Sequence, residues 1–287
     1  MRIAVLLPLA LLTALPGCAM LQPATEVPTV AEPAGPASRA RAAALLREGL
    51  RAQNPPRGGT PDPERAAALI EEAAMLGNPD AQLLVAAGHL LRGDGSRDAR
   101  AAIPWLLRAA QQGQPEAQLR LARLIEGGDG TEREPAWAAL WFNRAAERGV
   151  PQAQYAFALM QVAGAGTAPD QAEALARLTL AEQAGVAAAR RYRQALEPRV
   201  PATEAAVALA RVRDETTRGP VTTPDRPLVR FAQSALSVLG AEVEVDGRDG
   251  PATRAALTAF ARREGLGVSR PYDPAVIDRL RDRLPRR

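Results

Sequence analysis

The stretch LGNPDAQ (76–82) returns as QGQPEAQ (112–118) and RGVPQAQ (148–154), with a worn copy, AGVAAAR, at 184–190. Gly77, Gly113 and Gly149 are therefore 36 residues apart. Each phrase reads as a corner between two helices. Gly77 suits the residue just past a helix end, Asn78 the cap of the next helix, and Pro79 its first turn, where a missing N–H costs nothing. Asp80 then complements the positive end of the helix dipole. A fixed period of this length marks stacked repeats, in which each unit buries its apolar face only against its neighbours.

The rest of the period predicts two antiparallel helices. The first carries AQLLVAAGHLL (81–91), AQLRLARLIEG (117–127) or AQYAFALMQVA (153–163). Gly-x-Gly turns follow at Gly93/Gly95, Gly128/Gly130 and Gly164/Gly166. The second helix carries Trp105 or Trp141, again 36 residues apart. Ala73, Ala109, Ala145 and Ala181 share one register, and Ala81, Ala117, Ala153 and Ala189 another. Small residues at fixed places allow close helix stacking, and the large ones fill the gaps between layers. That register assigns the two tryptophans to packing. The Gly-x-Gly pairs follow helices, not strands, so they are connecting turns and not nucleotide loops.

Over residues 63–196 these units resemble Sel-like repeats, relatives of the tetratricopeptide repeat, through the frame AA..G...AQ...G.....G.G. The resemblance implies an all-α fold, a right-handed α/α solenoid of 36-residue helix pairs that offers its surface to another protein. Residues 38–53 are expected to add a degenerate first helix, and 203–214 a capping helix.

The chain has 287 residues, 47% of them hydrophobic but only 3% aromatic. Such an alanine-rich composition favours helices over strands. Its 36 basic residues are all arginine, face 32 acidic ones and leave a net charge of +4. Acidic residues alternate with the arginines along nearly every helix, a pattern of solvated surfaces that argues against nucleic acid as a partner. His89 is the only histidine, and no metal-ligand cluster or nucleophile set is legible, so no catalytic residue, metal or cofactor is expected.

The opening MRIAVLLPLALLTALPGCAM (1–20) pairs Arg2 with a short apolar run, the pattern of a secretory signal. Its ending LPGC (15–18) resembles the lipobox of bacterial lipoproteins, with Pro16 an uncommon occupant. The resemblance implies cleavage after residue 17 and lipidation of Cys18, the chain's single cysteine. Ala19 implies sorting to the outer membrane, facing the periplasm. Residues 18–37 then form a Pro/Ala-rich tether. The repeats with their caps are expected over 38–215, and TTRGPVTTPDRP (216–227) predicts a linker at 216–225.

Residues 226–287 predict a small three-helix domain around Leu236, Leu239, Leu257, Phe260, Ile277 and Leu280. It resembles the peptidoglycan-binding type 1 domain through Gln233, Leu236, Leu239, Gly240, Asp246, Gly247, Gly250, Thr253, Ala256, Phe260, Gly265 and Leu266. Asp249, Ala261 and GVSRPYD (267–273) depart from that frame. Around its Asp246 turn, Arg248, Thr253 and Arg254 are candidate donors to sugars and peptide carboxylates, with Tyr272 as a platform. The alternative is that Asp246, Gly247 and Gly250 only shape the turn. The domain order points to a non-enzymatic, membrane-anchored scaffold, with peptidoglycan and an envelope protein as partners. A second reading is an export scaffold for polysaccharide or protein, in which the terminal domain binds protein.

Overall fold

The computed structural model describes residues 35–56, 59–91, 98–218, 224–268 and 270–285. The expectations for Cys18, the signal, most of the tether and the Gly93/Gly95 turn lie outside them. The described residues are all-helical, with no strand. The repeat body consists of α1 (Pro36–Gln53), α2 (Pro63–Met75), α3 (Pro79–Leu90), α4 (Ala99–Gln111), α5 (Pro115–Gly127), α6 (Pro135–Glu147), α7 (Pro151–Ala163) and α8 (Gln171–Gln183). It ends in α9 (Ala187–Leu196), a 3-10 turn and the cap α10 (Ala202–Arg218). The terminal unit is α11 (Arg226–Val238), α12 (Pro251–Arg263) and α13 (Pro274–Arg283).

The corners are built as their residues require. Gly77, Gly113, Gly149 and Gly185 have φ of 91°, 87°, 79° and 93°, the left-handed region that glycine enters without strain. That bend lets the next residue reach back along the helix just ended, so Asn78, Gln114, Val150 and Val186 donate N–H to the carbonyls of Ala73, Ala109, Ala145 and Ala181 at 2.9–3.1 Å. Asn78 Oδ1 then caps the next helix by accepting from Ala81 N at 2.9 Å, and Gln114 Oε1 accepts from Ala117 N at 2.7 Å.

Both alanine registers are 0% exposed throughout. Leu106, Phe142 and Leu178, one per repeat, fill the space beside them and are equally buried. Gln82, Gln118 and Gln154 form a further column, each donating its side-chain amide to the carbonyl of Ala74, Ala110 or Ala146 on the preceding second helix, at 3.1, 3.0 and 2.7 Å. The glutamine of the recurring AQ is thus a buried stitch between adjacent repeats.

The terminal unit does not hang free. Its core residues Phe231, Leu236, Leu257, Phe260, Ile277 and Leu280 form one cluster with Leu140 of α6, against which Ala136 and Trp137 also pack. The cap α10 also runs on to Arg218, into the segment expected to be linker.

Candidate functional site

The contact between the two units is written in departures from the repeat register. The residues capping the second helices are Asp62, Asp98, Glu134 and Asp170, again 36 apart. Asp62 and Asp98 each accept a backbone N–H of their own helix, at 3.0 and 2.9 Å. Asp170 does so with Oδ1, at 2.9 Å from Glu173 N, while its Oδ2 receives Arg230 of α11 at 3.1 Å. Glu134 makes no side-chain cap bond and pairs instead with Arg281 of α13. The longer side chain exchanges a local cap for a distant guanidinium.

Two further positions change on α8. Arg177 occupies the position held by Trp105 and Trp141, and Glu173 that of Trp137. Both are 0% exposed. Arg177 donates to Glu173 Oε1 from Nε at 2.9 Å and Nη2 at 2.7 Å, and also bonds Gln154 Oε1 and Asn143 Oδ1, each at 3.0 Å. Glu173 accepts further bonds from Arg211 of α10 at 2.8 Å, Arg226 at 3.1 Å and Arg230 at 2.7 Å, the last two from α11. One buried carboxylate thereby gathers four guanidiniums from three helices. Burial pushes its proton affinity up, but Arg177, Arg230 and Arg226 outweigh that and hold the carboxyl well below the usual carboxylate range.

Around this hub, Arg226 Nη1 donates to Glu215 at 2.9 Å, and Arg144 grips Asp225 with two bonds of 2.7 and 3.1 Å. Beside the charges runs an aromatic ladder. Trp137 meets Trp141 edge-on at 5.9 Å and Phe231 of α11 at 5.3 Å, and the Arg281 guanidinium lies 4.8 Å from the Trp137 ring centre. Trp141 is 1% exposed and Trp105 packs against the same core, so both rings are packing residues.

In the terminal unit the hub is Gln233, whose side-chain N–H groups face Asp246 Oδ1 at 3.0 Å, the Arg248 carbonyl at 3.1 Å and Thr253 Oγ1 at 3.1 Å. Its Oε1 accepts from Gly247 N at 2.8 Å, and Asp246 Oδ1 also accepts from Arg248 N at 2.8 Å. Thr253 is buried, so it is an element of the turn and not an exposed donor, a correction to the sequence reading. Asp246 is likewise held within the turn. Arg248 is 85% exposed along its side chain, and Arg254 49%. Arg254 donates to Asp249 at 2.9 Å, and the Tyr272 hydroxyl reaches the same carboxylate at 3.1 Å. The departure Asp249 therefore ties the candidate cation to the candidate platform.

Sequence reasoning missed Glu173, Arg177, Arg230 and the function of Gln233. For the first two the signal was present, since aligning the repeats at 36 residues puts Arg177 where two copies carry Trp and Glu173 where the preceding copy does. Among the described residues, no group of three or more His, Cys, Asp or Glu is placed to hold a metal, and no helix is long and apolar enough to cross a membrane.

The Sel1 repeat profile matches residues 40–78, 79–114, 115–150 and 151–184. Among solved structures, c5321, described as a protective antigen present in uropathogenic Escherichia coli strains displaying an SLR fold, is 20% identical, with a TM-score of 0.44. That match covers 63% of this chain and 47% of the other, so the chain spans about half the antigen's length. A Sel1 repeat protein from Oxalobacter formigenes is 28% identical over 45% of this chain and 98% of its own, with a TM-score of 0.42. No curated protein matches the chain.

Proposed function

The chain belongs to the Sel1 repeat family, and from that premise we propose a non-enzymatic scaffold lipoprotein, anchored in the outer membrane through Cys18 and facing the periplasm. Its repeats hold an envelope protein and its terminal unit contacts peptidoglycan. Sel1 repeats serve protein interaction in general, and the observation that carries this reading is which surface remains open. The terminal unit covers α6 and reaches α8, whereas the first helices α3, α5 and α7 keep Leu84, Arg123 and Val162 at the surface.

The peptidoglycan contact is supported by the frame from Gln233 to Leu266 and by the exposed pair Arg248 and Arg254, whose guanidiniums suit peptide carboxylates. The anchor is supported by LPGC at 15–18. Lipid at one end and wall at the other raise the local concentration of whatever the repeats hold, without tight individual sites.

Two measurements test the reading. Sacculi should pellet the full chain, and Arg248→Ala together with Arg254→Ala should cut the pelleted fraction severalfold. Cys18→Ser should move the protein from the membrane to the soluble fraction. A specific observation favours the export scaffold as second reading: Asp249 neutralises Arg254, while Asp246 and Thr253 are already committed to the turn. If sacculi leave the wild type in the supernatant, the wall contact is wrong and the terminal unit is a protein-binding module.

A further inference from the structure

Glu147 is the last residue of α6 and stands at the joint between the units. The same register position in the neighbouring repeats is glutamine, Gln111 and Gln183, neither of which is fully buried. Glu147 is only 7% exposed, and its Oε1 has no hydrogen-bond partner. The guanidinium of Arg226 lies 3.6 Å away but is already bonded to Glu215 and Glu173. The other charges facing it are Arg177 of α8, Glu215 of α10 and Asp225 before α11. Arg144 and Arg148 share its own end of the helix and are both drawn to Asp225. The carbonyl end of α6 adds negative potential where the carboxylate would carry its charge. A buried carboxyl with one oxygen left without a hydrogen bond, at a helix C-terminus, is far cheaper to hold neutral than ionised.

We propose that Glu147 is a proton-sensitive element of the joint, and that its ionisation loosens the docking of α11–α13 on α6 and α8. The direction follows from linkage. Burial pushes the carboxyl up from 4.5 to about 7, against the attraction of Arg177 and Arg226. When the units part, the group regains water and its ordinary affinity. Docking therefore binds a proton, holds best below the ordinary value of 4.5, and weakens as pH rises towards about 7. Burial shifts Glu215 the same way. Glu173 has the opposite shift and acts only at acid pH. The proposal goes beyond the anchoring function and does not depend on glycan binding.

The test is amide hydrogen exchange on the full chain at about pH 6 and about pH 8, with protection corrected for the intrinsic exchange rate. Protection of α11 amides should fall about tenfold between the two, as a carboxyl that titrates at about 7 in the docked state passes from mostly protonated to mostly ionised. Protection of α3 and α5 should hold. Glu147→Gln restores the residue of the neighbouring repeats and should remove most of the fall, leaving only the smaller share of Glu215. Gln183→Glu, which adds a carboxylate at the equivalent position of the next repeat, should leave it unchanged. An unaltered fall in Glu147→Gln, or equal losses in α5 and α11, would overturn the proposal, the second by placing the effect on the repeats instead of the joint.

Discussion

At position 177 a guanidinium lies 5.0 Å from the Phe157 ring, in the place where two other repeats put an indole. The exchange works because each guanidinium nitrogen finds an acceptor and Glu173 balances the charge. A buried pair of this kind is weak evidence for stability as such, since desolvation offsets most of the Coulomb gain, but removing one partner is costly. Glu173→Ala leaves four guanidiniums facing a void, and should lower unfolding stability by about 3–5 kcal/mol, read as a lower urea midpoint. The same carboxylate sets the acid limb of stability. Its folded affinity is depressed, so its contribution is present above the ordinary value of 4.5 and is lost as pH falls through the lower folded value. Titrating the urea midpoint from about pH 6 down to about pH 3 should show a steep loss in the wild type and a shallower one in Glu173→Gln.

Among the elements, the turn between α7 and α8 shows how tightly the repeats are spaced. Gly166 has φ of 69°, and a Cβ there would stand 2.3 Å from the Pro135 carbonyl at the start of α6. Gly130 meets Ala99 and Arg100 in the same way one repeat earlier. Gly166→Ala combines a left-handed strain of about 1–2 kcal/mol with a backbone clash, and should destabilise more than Gly88→Ala, where nothing lies within 4 Å. Equal unfolding midpoints for the two variants would show that the spacing is not set here. Gly130 and Gly166 were legible as turn residues, because turn chemistry is local. Their contacts with the previous repeat were not. The corners were legible for the same reason, since Gly, cap and Pro each act within a few residues. The AQ glutamines were visible only as a repeated letter, because their acceptor lies eight residues back, across the corner.

In the whole molecule the decisive contacts span still greater distances. Arg230 and Glu173 are 57 residues apart, and Arg281 and Glu134 are 147 apart. With 36 arginines interleaved among 32 acids, no sequence pattern singles out those pairs. The terminal unit was therefore legible as a domain and illegible as a neighbour. Its docking also alters what the repeats need in order to stand alone. Phe231 shields Trp137, the α11–α13 core takes in Leu140, and Arg226 and Arg230 supply two of the four cations on Glu173. A chain ending at Arg218 loses all of these at once, with its uncovered apolar face on the third repeat and its stripped carboxylate on the fourth. Because repeats stabilise one another through their interfaces, weakening one end lets unfolding propagate from it. The shortened chain should therefore unfold at a lower urea concentration, with α6 and α8 losing amide protection before α3 and α4. An unchanged midpoint and an even protection pattern would mean that the repeats are self-sufficient and that the terminal unit is only a passenger on them.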